Sequence, residues 1–289
     1  MVVSETEALN LNSLREQVKQ YVENCHRDDG GYFFANMPFS SAMDTYYAVK
    51  TLSLLGLKPD RPDKIKSFFL KAIKKNSFLG LSGLFSATEV LHELNAGVEF
   101  LYRYLARLNL LRNSMGGFGV TYNLDYAVVS ELETTYRVLS ILTRLGRDFD
   151  RKQLIEFVFK YRNEDGGFGR NHISSLASTY YATEIFKLTG YSGMELDLTV
   201  SYLRSRENVW NLNFIEDMYW LTNGLFNLGQ KIRLTEFIIS FVKGCQRENG
   251  GFARKDVMGI PTLDDTYYAV SILRTLSKYS ICPSDCYLD

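Results

Sequence analysis

The chain predicts an all-α fold, a closed α/α ring (toroid) built from six helical hairpins. Two observations carry that reading. A glycine phrase recurs as Asp29-Gly30-Gly31-Tyr32, Met115-Gly116-Gly117-Phe118, Asp165-Gly166-Gly167-Phe168 and Asn249-Gly250-Gly251-Phe252. A second phrase follows each one, as Asp44-Thr45-Tyr46-Tyr47-Ala48, Glu133-Thr134-Thr135-Tyr136, Ser178-Thr179-Tyr180-Tyr181-Ala182 and Asp265-Thr266-Tyr267-Tyr268-Ala269. A two-part unit at a steady offset is the mark of a repeat architecture. The pairs start at positions 30, 116, 166 and 250, and the two long gaps each have room for one further unit. Leu81-Ser82-Gly83-Leu84-Phe85 reads as a decayed glycine phrase in the first gap. Asn208-Val209-Trp210-Asn211, followed by Glu216-Asp217-Met218-Tyr219-Trp220, fills the second.

Within a unit, the stretch before the glycines has helical period with one charged face. Leu154, Phe157, Val158 and Tyr161 show it, as do Phe237, Phe241 and Cys245. These are expected as half-exposed outer helices. The stretch after the second phrase, for example residues 267–273, is more uniformly apolar and reads as a buried inner helix. Gly56, Gly146, Gly190 and Gly229 stand where such helices end and a left-handed residue is favoured. The glycine pairs are expected to make a tight turn, with the following Phe or Tyr plugging back between units. The first and last units are among the best copies, which favours a closed ring over a solenoid with polar caps. Asp44, Glu133, Ser178 and Asp265 begin inner helices, where they serve as caps and complement the dipole.

The 33 basic and 33 acidic residues of this 289-residue chain balance, without long runs of one sign. Nucleic-acid binding is therefore not expected. No apolar stretch reaches the length of a membrane span. With an acidic N-terminus lacking an apolar signal core, this points to a cytoplasmic protein. The four cysteines form no disulfide framework. Cys25 and Cys245 occupy equivalent repeat positions, and Cys282 and Cys286 make a weak metal signal in the tail.

The paired phrases resemble the repeat shared by protein prenyltransferase β subunits and the squalene-hopene and oxidosqualene cyclases. Cys245-Gln246-Arg247-Glu248-Asn249-Gly250-Gly251-Phe252 carries the likeness most fully. It covers about residues 14–278 of a single 1–289 domain, leaving a short tail at 279–289. The resemblance implies an isoprenoid-diphosphate-handling enzyme, of the prenyltransferase or terpene cyclase type, and an α-subunit-like protein partner. The family's zinc ligands, Asp, Cys and His, fall on Asp217, Tyr219 and Asp265. Two of the three are replaced, so no zinc site is expected. Magnesium is expected only as the companion of a diphosphate.

The cyclases' acidic motif is matched by Thr262-Leu263-Asp264-Asp265, with Asp264 in the proton donor's place and Thr262 able to hydrogen-bond. Asp264, Asp265 and Asp217 are the catalytic candidates. Arg170, Arg254 and Lys255 are candidates for a diphosphate at the rim where inner-helix N-termini converge. Tyr136, Tyr180, Tyr219, Trp220 and Tyr267 are the candidate aromatic wall for an isoprenoid chain or carbocation. Only one Tyr of each adjacent pair is expected to face inward. Two other readings stay open. One is a non-catalytic toroid that binds a prenyl group or partner protein. The other, a carbohydrate-active ring with opposed Asp217 and Asp265 carboxylates, ranks last because the chain has only two tryptophans.

Overall fold

Helices alternate between an outer and an inner layer throughout the computed structural model. It describes residues 5–35, 37–75, 80–119 and 131–281; the Cys282 and Cys286 expectations lie outside these. The outer helices are α1 (Glu5–Asn24), α3 (Pro62–Lys74), α5 (Leu105–Asn109, led in by a 3₁₀ turn at Glu99–Tyr104), α7 (Arg151–Phe159), α9 (Leu196–Arg206) and α11 (Thr235–Cys245). The inner ones are α2 (Ala42–Leu54), α4 (Leu81–Glu93), α6 (Glu131–Arg144), α8 (Leu176–Thr189), α10 (Ile215–Asn227) and α12 (Leu263–Ile281). Each inner helix packs on the next, and α12 packs on α2, so the six close into a ring. Because each pair of successive inner helices is separated by an outer one, all six run the same way. Their N-termini share one rim.

Burial follows the layers. On α3 the buried residues are Ile65, Phe69 and Ile73, a four-residue stripe. On α4 every residue from Leu84 to Leu91 is buried. On α11 the buried stripe is Ile238, Val242 and Cys245, whereas Phe237 and Phe241 flank it and are only partly covered. Both stripes have helical spacing, so the period alone does not choose between them. The stretch at Leu81–Phe85 is the start of an inner helix rather than a decayed glycine phrase. The sixth loop adds a two-residue antiparallel pairing of Phe252–Ala253 with Pro261–Thr262, the one pair of strands among the described residues.

The two phrases are tied by a hydrogen bond repeated in four units. The threonine hydroxyl oxygens of Thr45, Thr135, Thr179 and Thr266 accept the backbone N–H of Tyr32, Phe118, Phe168 and Phe252 at 2.9–3.0 Å. These threonines are wholly buried, so each bond satisfies a donor that water cannot reach. The Tyr or Phe of each phrase is also buried, as expected.

The glycines do more than turn. Gly250 has a φ of +89°, and a Cβ there would overlap the Gln17 carbonyl of α1. Gly30 and Gly166 meet the Lys64 and Leu198 carbonyls of α3 and α9 in the same way. Each glycine loop therefore lies directly on the outer helix of the next unit, and the sixth loop lies on the first.

Candidate functional site

The axis of the ring is filled with aromatic side chains from the first turns of the inner helices. Tyr46, Tyr47, Phe85, Tyr136, Tyr180, Tyr181, Tyr219, Tyr267 and Tyr268 line it, with Met43 and Arg137. Their rings form an unbroken circuit. Tyr46 meets Phe85 at 5.1 Å between centroids, Phe85 meets Tyr136 at 6.2 Å, and Tyr136 meets Tyr181 at 5.7 Å. Tyr180 meets Tyr219 at 5.2 Å, Tyr219 meets Tyr267 at 5.7 Å, and Tyr267 returns to Tyr46 at 6.1 Å. The Tyr180 and Tyr219 hydroxyls hydrogen-bond at 2.8 Å. Both members of the pairs 46–47, 180–181 and 267–268 face this centre. The expectation of one inward Tyr per pair fails because the helix starts crowd the axis closely enough for residues on either side of the inward direction to reach it.

The free space left among these rings is only about 30 Å³, far below the size of a ligand cavity. Burial pushes the hydroxyls of Tyr46, Tyr136, Tyr180, Tyr181, Tyr219 and Tyr268 far above their usual range. They are neutral donors at any physiological pH.

Tyr136, Tyr180, Tyr219 and Tyr267 thus stand where an aromatic wall was expected. Trp220 does not: it packs into the layer between helices and is not among the side chains lining the centre. Arg137, which sequence reasoning missed, is the one charged residue lining it among the described residues. Its guanidinium bonds Glu133 one turn back at 2.5 Å and Ser82 of α4, and lies 5.7 Å from the centre of the Phe85 ring. The available signal was a Glu-to-Arg pair four residues apart in an otherwise apolar helix.

The rim cations expected to take a diphosphate are otherwise engaged. Arg170 pairs with Glu131 at 2.7 Å. Arg254 pairs with Glu216 and lies 4.1 Å from the Phe214 ring centre, with the Lys255 Nζ at 5.9 Å from the same ring. None of the three lines the centre. The helix starts are also occupied. Ser41 and Ser175 accept the N–H groups of Asp44 and Ser178, so the caps lie three residues before the positions expected to supply them.

The acidic candidates separate into two places. Asp217 accepts the N–H groups of Phe214 at 3.1 Å and Asn213 at 3.3 Å, closing the start of α10. Asp265 is buried, and its Oδ2 accepts the Thr262 hydroxyl at 2.9 Å. Burial, then the neighbouring Asp264 charge, pushes its carboxyl up to about 7. Asp44 of α2 is raised by burial and also feels Asp264. Of the two carboxyls expected as acid candidates here, Asp264 and Asp265, it is Asp265 that burial holds closer to its protonated form.

The three positions that fall on the family's zinc ligands are engaged otherwise. Asp217 spends its carboxylate on backbone, Tyr219 hydrogen-bonds inside the aromatic circuit, and Asp265 is held by Thr262. No group of three or more metal-binding side chains gathers among the described residues.

A family model, the prenyltransferase alpha-alpha toroid domain, matches residues 2–111, 84–214 and 212–286. Among solved structures, the chain is similar to protein geranylgeranyltransferase-I of Candida albicans complexed with GGPP. The identity is 18%, the coverage 92% of each chain and the TM-score 0.65. It is also similar to the type II terpene cyclase MstE of Scytonema, in a variant holding geranylgeranyl dihydroxybenzoate. There the identity is 11%, the coverage 96% of this chain and 99% of the other, and the TM-score 0.65. At such identities the likeness concerns the fold. A search of curated proteins returned no match.

Proposed function

Because this chain belongs to the prenyltransferase alpha-alpha toroid family, we propose that it seats an isoprenoid chain among the tyrosines at the centre of its ring, with an anionic head group at Arg137. The observation that carries this is the lining itself: nine aromatic rings and one cation converge on the axis. Aromatic faces suit an unsaturated hydrocarbon by burial and a carbocation through the ring quadrupole. Arg137 suits the head because, unlike Arg170 and Arg254, it borders that centre.

A site for a ligand of this size occupies roughly 300–1,000 Å³, about ten to thirty times the space now free. Entry therefore requires several tyrosines to swing aside together, and the described state is the closed one. The Arg137–Glu133 bond must also yield to the head group. Magnesium enters only as the companion of a diphosphate, and an α-subunit-like partner belongs to the transferase form of this reading.

The test is calorimetric titration with geranylgeranyl diphosphate and with geranylgeraniol, with and without magnesium. Micromolar binding of the diphosphate, weakened about tenfold or more in Arg137→Gln while the alcohol is unaffected, supports the reading; a charge-assisted bond supports that magnitude. Binding of neither compound overturns it.

A second reading is favoured by Asp265. A buried carboxyl pushed up to about 7 can pass its proton to an alkene carbon, leaving a carboxylate and a carbocation; the alkene would have to reach the rim beside Asp265, which does not line the aromatic centre. That is acid-initiated cyclisation, and it needs no thiolate-activating metal. Cyclised products from a prenyl substrate, abolished in Asp265→Asn, would select it. Binding without turnover would leave a non-catalytic prenyl-binding ring.

A further inference from the structure

Arg137 breaks the repeat at the axis. Counted from the threonine that receives the loop N–H, it stands two residues on, where three other units carry Tyr47, Tyr181 and Tyr268. One turn earlier, the matching residues are Met43, Ala177 and Asp264, against Glu133 here. One inner helix thus presents a cation where its counterparts present an aromatic ring, and it places an acid beside that cation.

The cation already holds an anion. Its Nη2 donates to the Glu133 carboxylate at 2.5 Å, while its Nη1 donates to the Ser82 hydroxyl of α4. Separate nitrogens make the two bonds, so the guanidinium stays tethered to α4 when the carboxylate leaves. The side chains of Arg137 and Glu133 are only 13% and 16% exposed. Glu133 also accepts the Tyr181 hydroxyl of α8.

This pair is poorly placed to hold the ring together. Both partners belong to α6, and a pair four residues apart on one helix adds little to a fold. Buried Glu89 is the contrast. It accepts the Ser140 hydroxyl at 2.8 Å and the Arg144 guanidinium at 3.0 and 3.2 Å, with Lys50 at 3.9 Å, and so joins α4 to α6 and α2.

We infer, on the reading of Arg137 as the head-group seat, that Glu133 is the resident stand-in for the head group: an anion enters by displacing it from Arg137, and the displaced carboxyl takes up a proton and becomes a donor to that same head group. Left ionised, the carboxylate would face the incoming anion across one guanidinium, between tyrosine rings. Two anions so close do not both keep their charge. The described groups around the pair offer no further free cation. They are Ser82 and Phe85 on α4, Tyr181 on α8 and Tyr47 on α2, with Tyr268 and the acid Asp264 three units round the ring on α12. Arg170, near the start of α6, is held by Glu131. Glu133 is therefore a competitor when ionised and a ligand when protonated, and affinity for an anionic head group should rise as pH falls.

Glu133→Gln separates the two roles, because an amide has the shape of the protonated acid and cannot pair as an anion. In calorimetric titration near neutral pH, the variant should bind geranylgeranyl diphosphate about tenfold more tightly than the wild type, with geranylgeraniol unchanged. The gain should vanish in Glu133→Gln/Arg137→Gln, where no cation is left to compete for. Titrations in buffers of different ionisation enthalpy count protons. The wild type should take up more per bound diphosphate than Glu133→Gln does, by up to one. Diphosphate binding in the variant alone would also support the inference, Glu133 then holding the seat closed. Equal or weaker diphosphate binding by the variant, or equal proton uptake by the two proteins, overturns it and leaves the head-group seat standing. Loss of binding in both proteins overturns the seat and the inference together.

Discussion

Replacing Gly250 by alanine should loosen the seam where the ring closes. Two costs add there. The residue sits at a φ of +89°, which an L side chain occupies at about 1–2 kcal/mol. Its Cβ would also overlap the Gln17 carbonyl of α1, backbone that cannot rotate away, and overpacking of that kind costs about 1–3 kcal/mol. Gly229 is the control. It has a φ of +69° and nothing within 4 Å of a Cβ, so Gly229→Ala carries the first cost alone. The difference between the variants isolates the seam at about 1–3 kcal/mol. For a domain of a few hundred residues that is about 2–12 °C in Tm. Thermal unfolding of both variants measures it, with hydrogen exchange of α1 as a local check: α1 should lose protection in Gly250→Ala alone. Equal Tm losses, with α1 unchanged, would refute the idea that the sixth loop on the first outer helix holds the ring shut.

Thr266→Val should cost about 1–3 kcal/mol, because the buried Phe252 N–H loses its acceptor, while Thr266→Ser should recover much of it in denaturant unfolding. Stability should fall as pH rises from about 4 to about 7. In that window the unfolded Asp265 releases its proton before the folded one, whose carboxyl is pushed up to about 7. The shift corresponds to roughly 4 kcal/mol at most, and Asp265→Asn should flatten that slope in pH-dependent unfolding. Tyr267→Ala should destabilise by about 3–5 kcal/mol through the cavity it leaves. The same change should speed prenyl-ligand entry, read by stopped-flow binding.

The ring was legible in the sequence because its determinants are local. Glycine pairs and the buried aromatic after them repeat at readable positions, and the left-handed glycines at 56, 146, 190 and 229 end inner helices as expected. What the phrases do to each other was not legible. Nothing in Thr45 or Thr266 says that its hydroxyl receives an N–H from 13 or 14 residues earlier; that follows only once the loop folds back. The same limit applies to Phe237 and Phe241, which share helical spacing with the stripe that is actually buried.

At the site, the aromatic wall was readable as tyrosines at the starts of inner helices, but its completeness was not. Whether adjacent tyrosines both reach an axis depends on the radius of the ring, a global quantity. Trp220, beside Tyr219 on the same helix, is not among the side chains lining the centre. The basic candidates Arg170 and Arg254 looked free because their partners, Glu131 and Glu216, lie 39 and 38 residues away. Arg137 was overlooked because an inner helix was expected to be apolar throughout.

Covalent trapping tests most directly where the ligand sits. A photoreactive geranylgeranyl diphosphate, irradiated with the protein and mapped by mass spectrometry, should label peptides containing Tyr46–Tyr47, Tyr180–Tyr181 and Tyr267–Tyr268, and unlabelled diphosphate should compete. Labelling confined to outer helices or to the rim loops, with the tyrosine peptides untouched, would contradict an isoprenoid seat at the centre of the ring.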